Sequence, residues 1–282
     1  MLLITLAAEA QAPAVTFKFV TYNVPGAALT ALGGINNAGV VVGTYTDKSG
    51  NTHCFTDNGT TLTTIDDPNG TNSSYGRINN HGAVVGTYTS NETGNDAGFL
   101  YEGGKYTDII DPLNNYGTDA NAINDSGVIT GSYLVDIGEP CGFVLKKGVF
   151  TTITYSGSIK GFTIPTAINN SGTIVAFYLT EEGTSGSVML SGKKWTVISP
   201  PNSKQSIPQG INNKGNISFD AYSSNTTVVG SLLDAGVYTS FKYPAAGETY
   251  GGVLNDKGMM AGSYQKGKSL TGAYSGYIAT YQ

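Results

Sequence analysis

Ile35-Asn36-Asn37-Ala38-Gly39 is the first of six copies of one short motif in this chain of 282 residues. The other copies begin at Ile78, Ile123, Ile168, Ile211 and Leu254, so that successive spacings are 43, 45, 45, 43 and 43 residues. A regular period of this size is typical of the four-stranded blades of a β-propeller. The sequence therefore predicts an all-β fold, a six-bladed β-propeller with four-stranded blades.

Each unit contains four segments with the composition of β-strands. The first strand ends at the Ile or Leu of the motif, and the Asn-Asn-x-Gly turn follows because Asn and Gly tolerate the positive φ of tight hairpins. A second strand follows, as from Val40 to Thr46, and then a third, as from Gly98 to Leu100, and a fourth, as from Tyr106 to Asp111. A proline such as Pro112 ends the fourth strand, since proline cannot donate to a β-ladder.

The two ends of the sequence complement each other. After the sixth motif the sequence offers a third strand, Ser275 to Tyr281, and no fourth. The segment from Phe17 to Asn23, followed by Pro25, matches the fourth strands of the other units. We therefore expect the N-terminal strand to close the last blade, which leaves the sheet edges short and protected. An open β-solenoid is the rival fold, but it has no place for such a strand.

Composition and charge limit the possible partners. Charged residues make up 12% of the chain, against about 25% in an average protein. The formal net charge is −5, and Arg77 is the only arginine. Nucleic-acid binding needs a basic surface, so we expect no nucleic-acid partner. A membrane-spanning helix needs about 18 or more apolar residues in a row, and the sequence has no such run, so we expect no membrane span.

The N-terminus and the cysteines bear on localisation and domain organisation. Residues 1–15 begin with an apolar run and offer Ala8-Glu9-Ala10 or Ala10-Gln11-Ala12 as a small-x-small cleavage site, but they lack a basic start. They are either a signal remnant, which favours a secreted or periplasmic location, or an ordinary tail. Residues 16–282 form one β-propeller domain, which we expect to be a monomer. Cys54 and Cys141 lie in units that are not neighbours, so we expect free thiols.

The repeat resembles that of a known family in the sequence of its motifs as well as in its period. The string Phe150-Thr151-Thr152-Ile153, the phrase Ile65-Asp66-Asp67-Pro68, and Gly-Ile-Asn-Asn-x-Gly followed by Val-Val-Gly-Thr-Tyr are similar to those of HAF-repeat proteins, which are bacterial extracellular repeat proteins. The resemblance covers nearly the whole chain after residue 15. It implies secretion and a propeller-like fold, and it implies no particular activity or catalytic residues.

Positions at which one unit differs from the others are candidates for function. The residue before the motif is small or aliphatic in five units but is Arg77 in the second. The fifth unit has Phe219 where four others have Gly. The other five units have a Tyr ten residues after the start of the motif, as at Tyr45, whereas Tyr222 comes one residue later. This offset predicts a bulge or reversed side chains. The fourth unit also drifts, at Ala176 and Phe177. These two units diverge either for a partner or by neutral change.

Arg77 has two competing interpretations. It forms a clasp with Asp119 of the next unit, or it anchors an anionic ligand at the mouth of the central channel, since a half-buried Arg needs a partner. We predict six ligand-binding residues around that mouth: Arg77, Tyr75, Tyr116, Asp119, Asn121 and Tyr250. Acidic residues on the loop face form a rim that binds cations or polyols, or that only keeps the protein soluble.

Motifs for catalysis, cofactors and metals are missing from the sequence. His53 and His81 are isolated, so we expect neither a metal site nor a cofactor. Our first hypothesis is a secreted binding or scaffold module, which recognises a glycan, a peptide, another small molecule or a protein at the loop face or the channel mouth. The alternative is an enzyme, a lyase, hydrolase or cyclase, with Arg77, Asp119 and Tyr250 as its catalytic residues.

Overall fold

The computed structural model describes residues 15–136, 138–224, 227–267 and 274–282, with all of their side chains except those of Tyr75 and Ser224. Six antiparallel sheets follow one another around a central channel, which confirms the predicted six-bladed β-propeller. Apolar clusters fill the space between neighbouring sheets; one joins Val42 and Cys54 of the first sheet to Phe99 of the second. The predicted signal remnant lies outside the described residues, apart from Val15.

The strands are numbered along the chain, and the sixth blade combines both ends. The N-terminal strand is β1 (Phe17–Tyr22). Blade 1 comprises β2 (Leu29–Ile35), β3 (Val41–Thr46), β4 (Thr52–Asp57) and β5 (Leu62–Thr64). Blade 2 comprises β6 (Gly70–Ile78), β7 (Val84–Ser90), β8 (Asp96–Glu102) and β9 (Lys105–Ile109). Blade 3 comprises β10 (Thr118–Ile123), β11 (Ile129–Asp136), β12 (Glu139–Lys146) and β13 (Val149–Ile153).

The remaining blades follow a 3₁₀ turn at Ile159–Gly161. Blade 4 comprises β14 (Thr163–Ile168), β15 (Ile174–Leu179), β16 (Ser185–Ser191) and β17 (Lys194–Ile198). Blade 5 comprises β18 (Gln205–Ile211), β19 (Ile217–Ser224), β20 (Thr227–Asp234) and β21 (Val237–Phe241). Blade 6 comprises β22 (Glu248–Thr249), β23 (Val253–Leu254), β24 (Met259–Gln265), β25 (Tyr274–Tyr281) and the N-terminal β1.

The predicted closure of the ring is confirmed. Strand β1 pairs with β25 along its whole length, from Phe17 opposite Tyr281 to Tyr22 opposite Gly276. The ring of Phe19 packs edge-on against that of Tyr277, with ring centroids 5.3 Å apart. The two ends of the described chain are thus held in one sheet by hydrogen bonds and aromatic packing.

The first Asn of each motif explains why the motif repeats. The Asn36 side-chain oxygen accepts hydrogen bonds from the backbone N–H groups of Ala38 and Val40, both at 3.0 Å, and so fixes its own turn. Its side-chain amide donates to the carbonyl oxygen of Asn79 in the next blade. The same donation runs on through Asn79, Asn124, Asn169, Asn212 and Asn255, and the last of these donates back to Asn36. Six inter-blade hydrogen bonds therefore form a closed circle.

The second residue of each turn forms a parallel circle. Each backbone N–H donates to the side-chain oxygen of the next blade, through Asn37, Asn80, Asp125, Asn170, Asn213 and Asp256. The two carboxylates face each other across the ring, and each accepts side-chain amides from both neighbours. Burial acts to raise the pKa of both carboxyls, but these hydrogen bonds outweigh it and lower the pKa.

A column of hydroxyl residues holds the start of each inner strand. Thr30 accepts the backbone N–H of Val24 at 3.0 Å, and Ser73, Thr118, Thr163 and Thr249 make the equivalent bond in their blades. In blade 5 the residue at the donor position is Pro200, which has no N–H. There the Ser206 hydroxyl bonds to that of Ser187 instead, at 2.8 Å.

The divergence of blade 5 has two parts, and packing explains the first. In blade 1, Gly43 lies opposite the Phe55 ring across the sheet, and a Cβ on the glycine would come within about 3.0 Å of that ring. In blade 5 the sizes are exchanged, since Phe219 lies opposite Ser231. The pair still combines one large and one small side chain, with only the serine hydroxymethyl group added, and cores tolerate such nearly volume-conserving exchanges.

The second part of the divergence is the displaced tyrosine. Of the two predicted explanations, a bulge and reversed side chains, the pairing supports the second, since the ladder between β18 and β19 is regular from Phe219 to Tyr222. Ala221 occupies the position that Tyr45 has in blade 1, opposite the hydroxyl residue. Because side chains alternate along a strand, Tyr222 shares its face with Asp220. Asp220 accepts the backbone N–H of Gly251, so this face is turned towards blade 6.

Candidate functional site

The Asn-containing turns close one end of the central channel. The Ile and Leu residues of the six motifs line the axis beside the two hydrogen-bonded circles, and the space left there is a cavity of about 70 Å³. Polar groups at this end serve mainly to join neighbouring blades. The inner strands run away from this end, and at about 3.3 Å per residue their first residues lie more than 10 Å away. The open mouth is at that opposite end.

Arg77 crosses the channel between the two ends. Its Nη2 donates to the carbonyl oxygen of Gln209 at 2.6 Å, and its Nη1 donates to the carbonyl oxygen of Gly76 at 2.9 Å. Gln209 lies in β18, three blades away from Arg77 in a ring of six. The half-buried guanidinium therefore joins blade 2 to the opposite blade 5.

A buried carboxyl lies next to this contact. Asp220 in β19 accepts the backbone N–H of Gly251 at 2.5 Å and the side-chain amide of Gln209 at 2.9 Å. Burial raises the pKa of Asp220 to about 7, although the two hydrogen bonds and the charge of Arg77 act to lower it. The group therefore changes charge near neutral pH, and it links the Arg77 contact to blade 6.

Asp220 forms one wall of a cavity of about 320 Å³ at the mouth of the channel. The lining comes from blades 1, 5 and 6: Ala31, Leu32, Gln209, Asp220, Tyr250, Gly251, Ser263 and Tyr274. The rings of Tyr250 and Tyr274 are 5.7 Å apart at an angle of 46°. The Tyr250 hydroxyl donates to Glu248 at 2.9 Å, and burial together with this carboxylate raises its pKa, so that the phenol stays neutral.

Two of the six predicted ligand-binding residues lie at this site. Tyr250 lines the cavity. Arg77 is adjacent to it, because Arg77 donates to the backbone of Gln209, which lines the cavity beside Asp220. The Tyr116 side chain is exposed on the link between blades 2 and 3. The Tyr75 side chain lies outside the described part of the chain.

Asp119 and Asn121 join neighbouring blades. Asp119 is hydrogen-bonded to Thr87 of blade 2 and to Ser132 of its own blade, and burial raises its pKa. Asn121 donates its side-chain amide to the carbonyl oxygen of Pro165 in blade 4. A clasp between Arg77 and Asp119 was one of our two interpretations of Arg77. Arg77 donates instead to the carbonyl oxygens of Gly76 and Gln209, and it is Thr87 that bonds Asp119 across blades 2 and 3.

Asp220 and Tyr274, which line this cavity, were not predicted from the sequence, and Tyr222, on the same face of the strand as Asp220, was noted there only for its displaced position. A clue was present, because Asp220 stands where the other blades have Thr44, Thr87, Ser132, Phe177 or Ser263. That position follows the Gly column by one residue, and the more conspicuous Phe and Tyr on either side concealed it. Tyr222 contributes to the electrostatic environment of the site, since burial raises its pKa most strongly and the charges of Asp220 and Glu248 act in the same direction.

The described residues hold neither a metal-ligand cluster nor a membrane-spanning helix. Within residues 15–136, 138–224, 227–267 and 274–282, no three His, Cys, Asp or Glu side chains are grouped to hold a metal ion. In the same ranges, no helix is long and apolar enough to span a bilayer. Both cysteines are free thiols, with Cys54 buried and Cys141 half-buried.

Comparison with known proteins gives structural similarity at low sequence identity. No protein-family model matches the chain, and no curated protein matches its sequence. A putative TolB from Agrobacterium tumefaciens superimposes with a TM-score of 0.62 at 13% identity, over 95% of this chain and 98% of that one. The Aleuria aurantia lectin, solved as a point mutant with Fucα1-6GlcNAc, gives 0.53 at 11% identity over 91% and 96%. SapL1 lectin with α-methyl fucoside gives 0.57 at 8% identity over 89% and 92%. These similarities establish the propeller fold.

Proposed function

We propose that this protein is a secreted binding module that recognises a glycan at the mouth of its central channel. The observation that carries this proposal is the cavity of about 320 Å³ between blades 5, 6 and 1. Its volume falls at the lower end of small-molecule sites, which occupy about 300–1,000 Å³. The apolar start of the chain supports secretion. The fucose-bound lectins among the structural neighbours make a glycan ligand a reasonable first choice.

The lining suits a neutral, hydroxyl-rich ligand. The tyrosine rings of Tyr250 and Tyr274 offer flat apolar surfaces on which the C–H face of a sugar ring can pack. Asp220 and Gln209 offer acceptors and a donor at fixed positions: Asp220 accepts both the Gly251 N–H and the Gln209 side-chain amide, and the backbone of Gln209 is bonded to Arg77. Preorganised polar groups of this kind give specificity for hydroxyl positions.

The proposal is tested by titrating sugars into wild-type protein and two tyrosine variants. A panel of neutral monosaccharides and disaccharides, with short peptides for comparison, is screened by ligand-observed NMR and the binders are measured by calorimetry. We expect Tyr250→Ala to weaken sugar binding by tenfold or more. Tyr116→Ala is the matched control, since that tyrosine is exposed and lies outside the cavity. The proposal fails if no sugar binds wild type with a Kd below about 10 mM, or if Tyr250→Ala binds as well as wild type.

An acid–base enzyme is the second candidate, and one observation favours it. Asp220 has a pKa of about 7 and lines the same cavity as Tyr250, and a carboxyl with such a pKa can exchange a proton with substrate near neutral pH. In this form of the hypothesis Asp220 takes the role that was first given to Asp119. Mass spectrometry of the bound sugar after incubation separates the two candidates. Turnover that Asp220→Asn abolishes, while binding persists, supports the enzyme, and an unchanged sugar supports the binding module.

A further inference from the structure

A second and larger cavity lies on the same face of the disc, over blade 2. Its volume is about 570 Å³. It is bounded by the loop between β7 and β8 and by the links that lead into and out of the blade. The lining residues are Asn69, Tyr88, Ser90, Asn91, Glu92, Thr93, Asn95, Asp96, Ala97, Asp108, Ile110 and Asn114.

Blade 1 has a histidine at the position of the cavity residue Ala97. The residue opposite Tyr45 is His53, whose ring lies between Asp47 and Asp66, with Nδ1 2.6 Å from Asp66. In blade 2 the corresponding residue is Ala97, opposite Tyr88. Blades 3, 4 and 6 also have smaller residues here, Cys141, Gly186 and Ser275. The small Ala97 side chain leaves room on the cavity wall but does not by itself distinguish blade 2.

The charge on the cavity wall distinguishes blade 2 from blades 1 and 3. Thr64 in blade 1 and Thr152 in blade 3 accept or donate a hydrogen bond to the tyrosine hydroxyl of their blades. In blade 2 this position is Asp108, which accepts the Tyr88 hydroxyl at 2.9 Å. Glu92 and Asp96 lie on the same wall, and none of the twelve lining residues is Lys, Arg or His. The lining thus carries three carboxylates and no cationic side chain.

A buried carboxylate behind the wall adds to this negative charge. Asp67 is only 2% exposed, and its Oδ2 has no hydrogen-bond partner among the described residues. Its Oδ1 accepts the backbone N–H of Asn69, a residue of the cavity wall. Burial and the charge of Asp108 raise the pKa of Asp67, and its own charge in turn acts on Tyr88. An unpaired buried carboxylate is costly unless a positive charge comes close.

We propose that this cavity binds a small organic ammonium ion, with its amine between Asp108 and the carboxylates beside it and its carbon chain against Ala97 and Ile110. An ammonium group donates up to three hydrogen bonds and so can serve carboxylates that are spread over a wall. A metal ion would need them gathered into one coordination shell, and the described residues contain no such group. Ile110 is exposed by 53% and supplies an apolar contact for the chain of the ligand.

Calorimetry with putrescine as the probe tests this site, and 1,4-butanediol serves as its neutral counterpart of similar shape. We expect putrescine to bind wild type and butanediol not to bind. The variant Asp108→Thr should raise the putrescine Kd at least tenfold, and it should fold normally because blades 1 and 3 carry Thr at this position. Asp67→Asn should also weaken binding, and to a smaller degree, because its carboxylate lies behind the wall.

A control variant separates the site from general charge effects. Glu182→Gln removes one exposed charge from blade 4. It should bind putrescine within twofold of wild type, and so should Tyr250→Ala, since the channel-mouth cavity is separate. The proposal is overturned if wild type fails to bind putrescine, if butanediol binds equally well, or if Asp108→Thr binds as tightly as wild type.

Discussion

Replacing Asp220 with asparagine should make the stability of the protein less dependent on pH. The carboxyl has a pKa of about 7 in the folded protein, because it is buried, against an ordinary value of 3.8. The folded state therefore holds the proton more tightly than the unfolded state, and unfolding between these two pH values releases it. The contribution of the neutral carboxyl is fully present below pH 3.8, and it is lost as the pH rises through 7.

The size of the effect follows from the two pKa values. One pKa unit corresponds to about 1.4 kcal/mol, so charging the buried group costs about 4 kcal/mol in total. Between pH 5.5 and pH 8 the loss amounts to about 2 kcal/mol. The asparagine side chain of the variant stays neutral at every pH, and it can still accept the Gly251 N–H. The variant should therefore gain about 2 kcal/mol on wild type over this range.

Urea denaturation of both proteins at several pH values between 5.5 and 8 measures this difference. Subtracting the two curves removes the other titrating carboxyls, which both proteins share. A second variant, Arg77→Gln, should steepen the pH dependence, because the charge of Arg77 acts to lower the pKa of Asp220. A constant difference between wild type and Asp220→Asn across the range would refute this reading of the buried carboxyl.

Three further predictions follow from the fold. Asn124→Ala removes two accepted hydrogen bonds and one inter-blade donation. It should lower the free energy of unfolding, measured by urea denaturation, by about 2–4 kcal/mol, and a loss below about 0.5 kcal/mol would contradict a role in the circle of inter-blade hydrogen bonds. Phe19→Ala should cost about 2 kcal/mol because its ring packs against blade 6, whereas Val20→Ala, which alters an exposed side chain on the other face of the strand, should be nearly neutral; equal effects would contradict the described closure. Iodoacetamide at pH 8 should modify Cys141 first and Cys54 only after unfolding, since burial raises the pKa of the Cys54 thiol and the side chain is fully enclosed; intact mass spectrometry follows the order, and early labelling of Cys54 would contradict it.

The architecture could be predicted from the sequence because it repeats. A motif that recurs six times shows which residues belong to the scaffold, and the strand that lacks a partner at one end identifies the closure at the other. The hydroxyl column can be predicted from the same repeat, since a Ser or Thr at one position in all six units indicates a common contact at the start of the inner strand. The resemblance to HAF-repeat proteins, the secreted location and the monomeric state stay predictions.

The candidate site was predicted less well, because it depends on contacts between distant units. Arg77 was identified as unusual, but its acceptor, Gln209, lies across the channel and 132 positions further along the chain. Neighbouring blades were the natural place to look for its partner, and Asp119 fitted that expectation. Asp220 was hidden for a different reason. Phe219 and Tyr222 on either side depart more conspicuously from the repeat, and the column of Asp220 already varies, with Thr, Ser and Phe in the other blades.

The most direct test of the proposed function is a crystal structure of the protein with the tightest-binding sugar of the panel. We predict that the sugar lies in the cavity between blades 5, 6 and 1, with its ring against Tyr250 and a hydroxyl within hydrogen-bond distance of Asp220. A sugar bound only at the outer rim, with the channel-mouth cavity left to solvent, would contradict the proposal.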